Sequence, residues 1–370
     1  MQTVEQFEYV FLGGGKGGKS LATELAKAGK RVAVIERGMI GGSCINVACI
    51  PTKALIRSAR VAHTLNHAAA FGVEAGASRV DMKSVRARVK GVVDGLIDVN
   101  LSGFKAAGFD LLLGNGRFVA PRTIEVQLND GGKRVLEGER VYINTGTHAD
   151  VPAIPGLREA QPLTHVETLQ IETVPAHLIV IGGGYIGLEM AQAFHRLGAR
   201  VTVLQREARV AIREDVDVSE AIAAAFREDG IDIRTDVEIV GVSGRSGEMV
   251  EITLADGHRI KGSHILVATG RIPNTRDIGL EIAGVEIDGR GIIKVDDQLR
   301  TTAHHVYAIG EVAGTPMFTH ASFDDYRVLS AQLKGGAKTT SGRDIPYAMF
   351  IEPELSRIGL NETEAAARGI

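Results

Sequence analysis

The sequence predicts an α/β protein built from two copies of one strand–turn–helix–strand unit, the second copy inserted into the first. Three observations carry that prediction. Tyr9-Val10-Phe11-Leu12 runs into Gly13-Gly14-Gly15-Lys16-Gly17-Gly18, and Leu178-Ile179-Val180-Ile181 runs into Gly182-Gly183-Gly184-Tyr185-Ile186-Gly187. A further apolar run, Val306-Tyr307-Ala308-Ile309-Gly310-Glu311, follows the second copy and returns the chain to the first. At 370 residues the chain exceeds the usual single-domain range, so it can bury a sizeable core in two or three domains.

The first G-x-G-x-x-G turn (Gly13, Gly15, Gly18) is followed by a helix through Leu21, Leu25 and Ala28, then by the strand Arg31–Glu36. Glycines in such a turn let the backbone approach a pyrophosphate, which rests on the helix N-terminus. Glu36, at the end of the second strand, stands where a carboxylate accepts hydrogen bonds from an adenosine ribose. The second turn (Gly182, Gly184, Gly187) repeats the plan through Ala191, Phe194 and Leu197 to Val201–Leu204. Two Rossmann-like units therefore imply two dinucleotides. Between them, Ile56 to Leu101 reads as helical, with Val85, Val89, Val92, Val93 and Leu96 at helix-like spacing. Val119 to Tyr142 reads as alternating strands around the turn Asn129-Asp130-Gly131-Gly132.

Net charge −3 without a long block of lysine and arginine argues against nucleic acid or an anionic membrane as partner. No segment approaches 18 consecutive apolar residues, and the polar start lacks a signal-peptide pattern. The expected location is the cytoplasm, where a surface disulfide persists only if it turns over.

Cys44 and Cys49, the two cysteines of the chain, lie in Gly41-Gly42-Ser43-Cys44-Ile45-Asn46-Val47-Ala48-Cys49-Ile50-Pro51-Thr52-Lys53. A disulfide across so short a loop contributes only about 2 kcal/mol in the chain-entropy picture, so a structural staple is a poor account of it. The spacing fits neither a zinc ribbon nor a Cys-x-x-Cys redox motif, and no metal site is expected. Two incidental buried thiols remain the plain alternative for the bare pair. The flanking sequence favours a working dithiol: Gly-Gly permits close approach to a ligand, and the pair reads as the first turn of a helix, whose dipole favours thiolate. Lys53 falls on the same helical face as Cys49.

This run closely resembles the active-site motif of the class I pyridine nucleotide-disulfide oxidoreductases, the family of dihydrolipoyl dehydrogenase, glutathione reductase and mercuric reductase. Ala48 departs from the glycine usual before the second cysteine. The resemblance implies FAD in the first unit and a nicotinamide nucleotide in the second, with electrons passing from nicotinamide to flavin to Cys49, while Cys44 meets the acceptor as the interchange thiol. It implies flavin or nucleotide contacts from Gly42 and Ser43, from Thr145 and Gly146 in the crossover Asn144-Thr145-Gly146, and from a second crossover through Gly270 and Arg271. It further implies a Lys53–Glu189 ion pair that stabilises the reduced flavin, Tyr185 over the nicotinamide pocket, and the start of a helix at His320 and Ala321 whose backbone N–H groups face the flavin. Gly310 and Glu311 match a strand end that carries aspartate in the family; Glu311 keeps the charge on a longer arm.

Where an acid at the second unit's strand end would select NADH, the chain reads Leu204-Gln205-Arg206. Arg206 matches a family ligand of the 2′-phosphate, with Arg209 or Arg213 as a second cation, so NADPH is expected over NADH. The motif fixes the electron path rather than the acceptor. Gly15–Ala22 and Phe318–Arg327 look most like the reactive-chlorine-resistance branch, which points to hypothiocyanous acid; mercuric ion and lipoamide are the rival acceptors, and a flavin-binding module without efficient turnover is the rival of another class. The run Ile345–Glu354 resembles the opening of the family's α+β interface domain, through which members form homodimers. The expected boundaries are 1–149 with 264–341 for FAD, 150–263 for NAD(P), and 342–370 for the start of the interface domain. Its strand Ala348-Met349-Phe350-Ile351 is expected to expose an apolar edge.

Overall fold

A computed structural model of the chain describes residues 3–370. In chain order, β1 (Val4–Leu12), α1 (Lys16–Lys27) and β2 (Val32–Glu36) form the first repeat, followed by a single turn α2 (Ser43–Asn46) and the long helices α3 (Cys49–Asn66) and α4 (Met82–Ala107). Then come β3 (Asp110–Ala120), β4 (Thr123–Leu128), β5 (Lys133–Ile143), β6 (Thr147–Ala149) and α5 (His165–Thr168). The second repeat is β7 (His177–Ile181), α6 (Tyr185–Arg196) and β8 (Arg200–Leu204), followed by α7 (Val216–Glu228) and β9 (Asp232–Arg234). A meander, β10 (Ile239–Gly244), β11 (Val250–Leu254) and β12 (Arg259–Gly262), leads to β13 (His264–Val267) and β14 (Arg271–Pro273). The chain ends with α8 (Leu280–Ala283), β15 (Val306–Ala308), α9 (Thr319–Leu333), β16 (Tyr347–Met349), β17 (Leu355–Arg357) and α10 (Glu362–Ala367).

Two compact units result. The first comprises the described residues up to Cys49 with Val93–His148 and Ile272–Ile345; the second comprises Ile50–Val92, Ala149–Arg271 and Pro346–Ile370.

In the first unit, parallel pairing runs β3-β2-β1-β5-β15, and β4 pairs antiparallel with the far ends of both β3 and β5. One core contains Phe11, Val34 and Tyr142 of the parallel strands with Leu21, Leu25, Val328 and Leu329 of α1 and α9. The alternating residues Val10, Leu12 and Ile35 meet Phe118, Ile124 and Val126 of the meander in a second core. Alternation along β1 thus feeds both layers, which explains why Tyr9–Leu12 reads as an unbroken apolar run.

The second unit repeats the arrangement. Its parallel sheet runs β13-β7-β8-β9, with α6 and α7 packed on one face and the meander β10-β11-β12 on the other.

Several expectations are corrected. The helical stretch Ile56–Leu101 is two helices, separated by a turn of 3₁₀ helix (Ala68–Phe71) and an irregular run rich in small residues. Residues 50–92 lie in the second unit because Leu55, Ile56, Ala59, Met82 and Val89 share a core with Leu178, Val180 and Leu188. The return to the first unit comes at 272 rather than 264, since β13 pairs in register with β7. The strand at 347–349 exposes less than expected: Met349 and Ile351 are fully buried in the second unit's core, and β16 pairs with β17. The segment 346–370 is therefore part of that unit.

Candidate redox and dinucleotide-binding site

The two glycine turns are built almost identically. Gly13 and Gly182 adopt φ of +106° and +107°, conformations an L side chain rarely takes. A Cβ on Gly13 would fall 2.4 Å from the Asn144 carbonyl oxygen, and one on Gly182 would fall 2.5 Å from that of Ala268. In each unit the turn is thus pressed against the residue that follows the fourth parallel strand, β5 in the first and β13 in the second. The middle glycines match as well: Gly14 N donates to Glu36 Oε2 at 2.9 Å, and Gly183 N donates to Gln205 Oε1 at 2.6 Å. Gln205 therefore occupies the second unit's strand-end acid position, an equivalence that the 22-residue offset in both units makes visible. The third glycines differ. Gly18 donates to Asn144 Oδ1, whose amide also donates to the Ile309 carbonyl and ties the turn to the return strand. Gly187 lies so close to Gly182 that a Cβ would sit 1.9 Å from its carbonyl oxygen.

These features fit dinucleotides. Gly15 and Gly184 cap α1 and α6 without a side-chain partner, and the space beside the Gly184 Cα is open. The Glu36 carboxylate is buried and accepts from the backbone of Gly14, Gly38 and Met39, which leaves one acceptor site, on Oε2, for a ribose hydroxyl. Thr145 Oγ1 is buried without a hydrogen-bond partner, next to Gly146, which has open space beside it. At the return strand, Asp325 is fully buried and accepts from Gly310 N and Thr315 Oγ1 while paired with Arg343 at 2.6 Å; burial pushes its carboxyl up, against the pull of Arg343. The neighbouring Glu311 accepts from Thr147 Oγ1.

The dithiol lies in the first unit. Gly41 and Gly42 take φ of +84° and +89°, and a Cβ on Gly42 would come within 2.9 Å of the Gly15 Cα. The Gly-Gly turn thus lets the cysteine segment lie directly against the first glycine turn. Asn46 pins it by donating to the Ile40 and Gly42 carbonyls. Contrary to a single helical first turn, Cys44 sits in α2, whereas Cys49 opens α3. Both are thiols. The Cys44 thiol is pushed well up, first by its hydrogen bond to Cys49 and then by burial, with Thr319 and Lys19 pulling the other way. Cys49 Sγ lies 3.3 Å from Thr319 Oγ1, the first residue of α9. His320 follows in the first turn of α9; its ring is exposed and stacks on Phe318, while Ala321 is buried.

In the second unit, Lys53 Nζ is 2.7 Å from Glu189 Oε2, and the other oxygen accepts from Phe350 N at 2.9 Å. Glu189 is buried and Lys53 lies over the Phe350 ring. Tyr185 donates to the buried Glu214, as does Tyr347 at 2.7 Å; burial first, and then Glu214, raises the Tyr185 hydroxyl far above its ordinary range. The Gly270 carbonyl accepts from Asp150 N, with Arg271 beginning β14. Arg206 is 82 % exposed and pairs with Glu207 at 2.7 Å, an acid that sequence reading passed over.

Sequence reading also missed Thr319, Asn144 and Lys19 as site residues. Their partners lie 270, 126 and 81 positions away, and no local pattern signals such contacts. Among the described residues there is no cluster of His, Cys, Asp or Glu able to hold a metal, and no helix long and apolar enough to cross a membrane.

Comparison with known proteins agrees with this construction. The family profile described as pyridine nucleotide-disulphide oxidoreductase matches residues 7–325. The chain is 38% identical over 366 residues to a mercuric reductase of Shigella flexneri, covering 96% of this chain and 64% of that enzyme. It is 35% identical to the probable pyridine nucleotide-disulfide oxidoreductase RclA of Escherichia coli, over 99% of this chain and 80% of that protein. The structure of a Cu(II) complex of the HOCl-induced flavoprotein disulfide reductase RclA from Escherichia coli matches with a TM-score of 0.90 at 34% identity, over 99% of this chain and 80% of the other. The family match spans both glycine turns and the Cys44–Cys49 segment, and the chain belongs to the pyridine nucleotide-disulfide oxidoreductases.

Proposed function

We propose that the chain is a flavoprotein disulfide reductase that draws electrons from NADPH through FAD to the Cys44–Cys49 pair and passes them to a small thiol-reactive acceptor. The observation that carries this reading is the dithiol lying against the first glycine turn, with Gly42 in contact range of Gly15. Bound FAD would supply two-electron transfer between nicotinamide and sulfur. Glu36 would hold its ribose, with Gly13, Gly15 and Gly18 around the pyrophosphate and Thr145, Gly146, Gly310 and Glu311 along the remainder. Cys49, at the start of α3, would carry the negative charge on the flavin side, while Cys44, its thiol pushed up, keeps its proton until it exchanges with the acceptor. Lys53, held by Glu189, would supply the cation that the family likeness assigns to a reduced flavin, and Tyr185 would cover the nicotinamide. Arg206 takes the 2′-phosphate, supported by a neutral Gln205 at the strand end. A cytoplasmic homodimer is part of the same reading and rests on the family likeness.

Hypothiocyanous acid is the first acceptor to test, given the resemblance of Gly15–Ala22 and Phe318–Arg327 to the reactive-chlorine-resistance branch, with which the likeness to the HOCl-induced RclA accords. Mercuric ion is the second reading, favoured by the likeness to mercuric reductases. Anaerobic titration of the FAD-loaded protein with NADPH, followed by hypothiocyanous acid, Hg(II), Cu(II), lipoamide and glutathione disulfide in turn, decides between them. The expected result is two-electron reduction beyond that of the flavin alone and NADPH oxidation with one of these acceptors. Flavin reduction without turnover on any acceptor would instead identify a redox module. Cys44→Ser should abolish acceptor reduction; full turnover in that variant would overturn the proposal.

A further inference from the structure

Lys19 stands in the second turn of α1 with its side chain only 8 % exposed. Its ammonium makes one hydrogen bond, at 2.5 Å to the neutral Asn100 Oδ1, and no carboxylate among the described residues lies within ion-pair distance. A buried cation without a counter-charge is costly and calls for an anion that comes and goes with function. Asn100 also lies against the cysteine segment: a Cβ on Gly41 would fall 3.1 Å from that same Oδ1. The charged groups that act on Lys19 are Lys16, on its own helix, and Cys44. Those that act on Cys44 are Cys49 and Lys19, beside the neutral Thr319 hydroxyl, which hydrogen-bonds to it. Through Asn100 the Lys19 ammonium is tied to the segment that carries Cys44, three residues beyond Gly41, and Cys44 is an acid there that can become negative.

We propose that Lys19 is a positioning residue for the dithiol, whose buried ammonium is the counter-charge that Cys44 acquires on becoming the exchanging thiolate. In that step the Cys44 S–H bond breaks and sulfur keeps the electron pair. The proton goes to the Lys19 amine where that is neutral and to water where it is already charged; no electrons change hands. Lys19 charging and Cys44 deprotonation are then linked, and each favours the other. The inference rests on the reading of Cys44 as the thiol that meets the acceptor.

The test follows Cys44 rather than turnover. In FAD-loaded Cys49→Ser protein, the rate of Cys44 alkylation by iodoacetamide is measured against pH by peptide mass spectrometry, with and without Lys19→Met. Loss of the cation should raise the midpoint by about one unit and slow alkylation at neutral pH by about tenfold. Asn100→Asp provides an independent arm: a carboxylate beside Lys19 neutralises it from the other side and should also raise the midpoint. Should Lys19→Met fail to retain FAD, the Asn100→Asp profile alone decides. Superimposable pH profiles in the variants and their parent would overturn the proposal. Alkylation reports the Cys44 proton whether or not the chain turns over, so failure of the Lys19 role and failure of the reductase reading give different results.

Discussion

At the scale of single residues, charges without matched partners carry most of the information. Burial pushes the Lys19 amine down to about 8 from an ordinary value of 10.5, with Lys16 adding to the shift and Cys44 opposing it. Between pH 8 and 10.5 the unfolded chain holds a proton on this lysine that the folded chain does not, so stability rises with pH across that window, and below pH 8 the penalty is fully present. Its size is at most about 3 kcal/mol. Lys19→Met is therefore expected to stabilise the oxidised protein near neutral pH and to flatten that alkaline rise, as read from denaturant midpoints at several pH values. An unchanged pH slope would show that the amine is not buried in solution. Arg206 presents the opposite case, a cation mostly in water with Glu207 as partner. Surface pairs of this kind contribute about 1 kcal/mol or less, so Glu207 competes only weakly with a 2′-phosphate. Arg206→Glu should cut kcat/KM for NADPH far more than for NADH, and Glu207→Gln should shift preference further toward NADPH. Equal losses with both nucleotides would remove Arg206 from the cofactor site.

Elements show why some of this was legible in sequence and some was not. The glycine turns announce themselves because sterics act within a few residues: Gly187 has no room for a methyl group beside the Gly182 carbonyl. Gly187→Ala should cost about 1–3 kcal/mol or more and abolish NADPH binding, measured by denaturation and by nucleotide titration. Gly103, in α4 with nothing within 4 Å of an added Cβ, is the control, and Gly103→Ala should stabilise by about 0.5–1 kcal/mol. Normal NADPH binding by Gly187→Ala would remove the second turn from the nucleotide site. The break between α3 and α4 was illegible from spacing, because apolar residues recur at helical intervals on both sides of it. The division of the cysteine segment between α2 and α3 was hidden for a similar reason: Val47 departs from helical geometry (φ −143°, ψ −2°) without a glycine or proline to mark the change. The Thr319 contact with Cys49 depends on α9 reaching the segment from 270 residues away. Local pattern carries the turns; tertiary packing alone supplies their neighbours.

At the scale of the whole molecule, each repeat is completed by its own parallel sheet, its own meander and its own cores. The allocation of 50–92 and 346–370 to the second unit follows from those cores, and sequence order gave no sign of it. A unit with its own core and its own ligand should respond to that ligand, because binding to the folded form alone stabilises by mass action, by about 2.7 kcal/mol at a hundredfold excess over the dissociation constant. For units of this size that corresponds to a shift of roughly 5–10 °C in the midpoint of thermal unfolding. Calorimetry is therefore expected to resolve two transitions, one raised by FAD and the other by NADP⁺. Gly187→Ala should lower the second transition and erase its response to NADP⁺, while the response of the first to FAD persists. A single transition that both ligands raise together, with Gly187→Ala leaving the NADP⁺ response intact, would mean that the two repeats unfold as one body and that the nucleotide does not rest on the second turn.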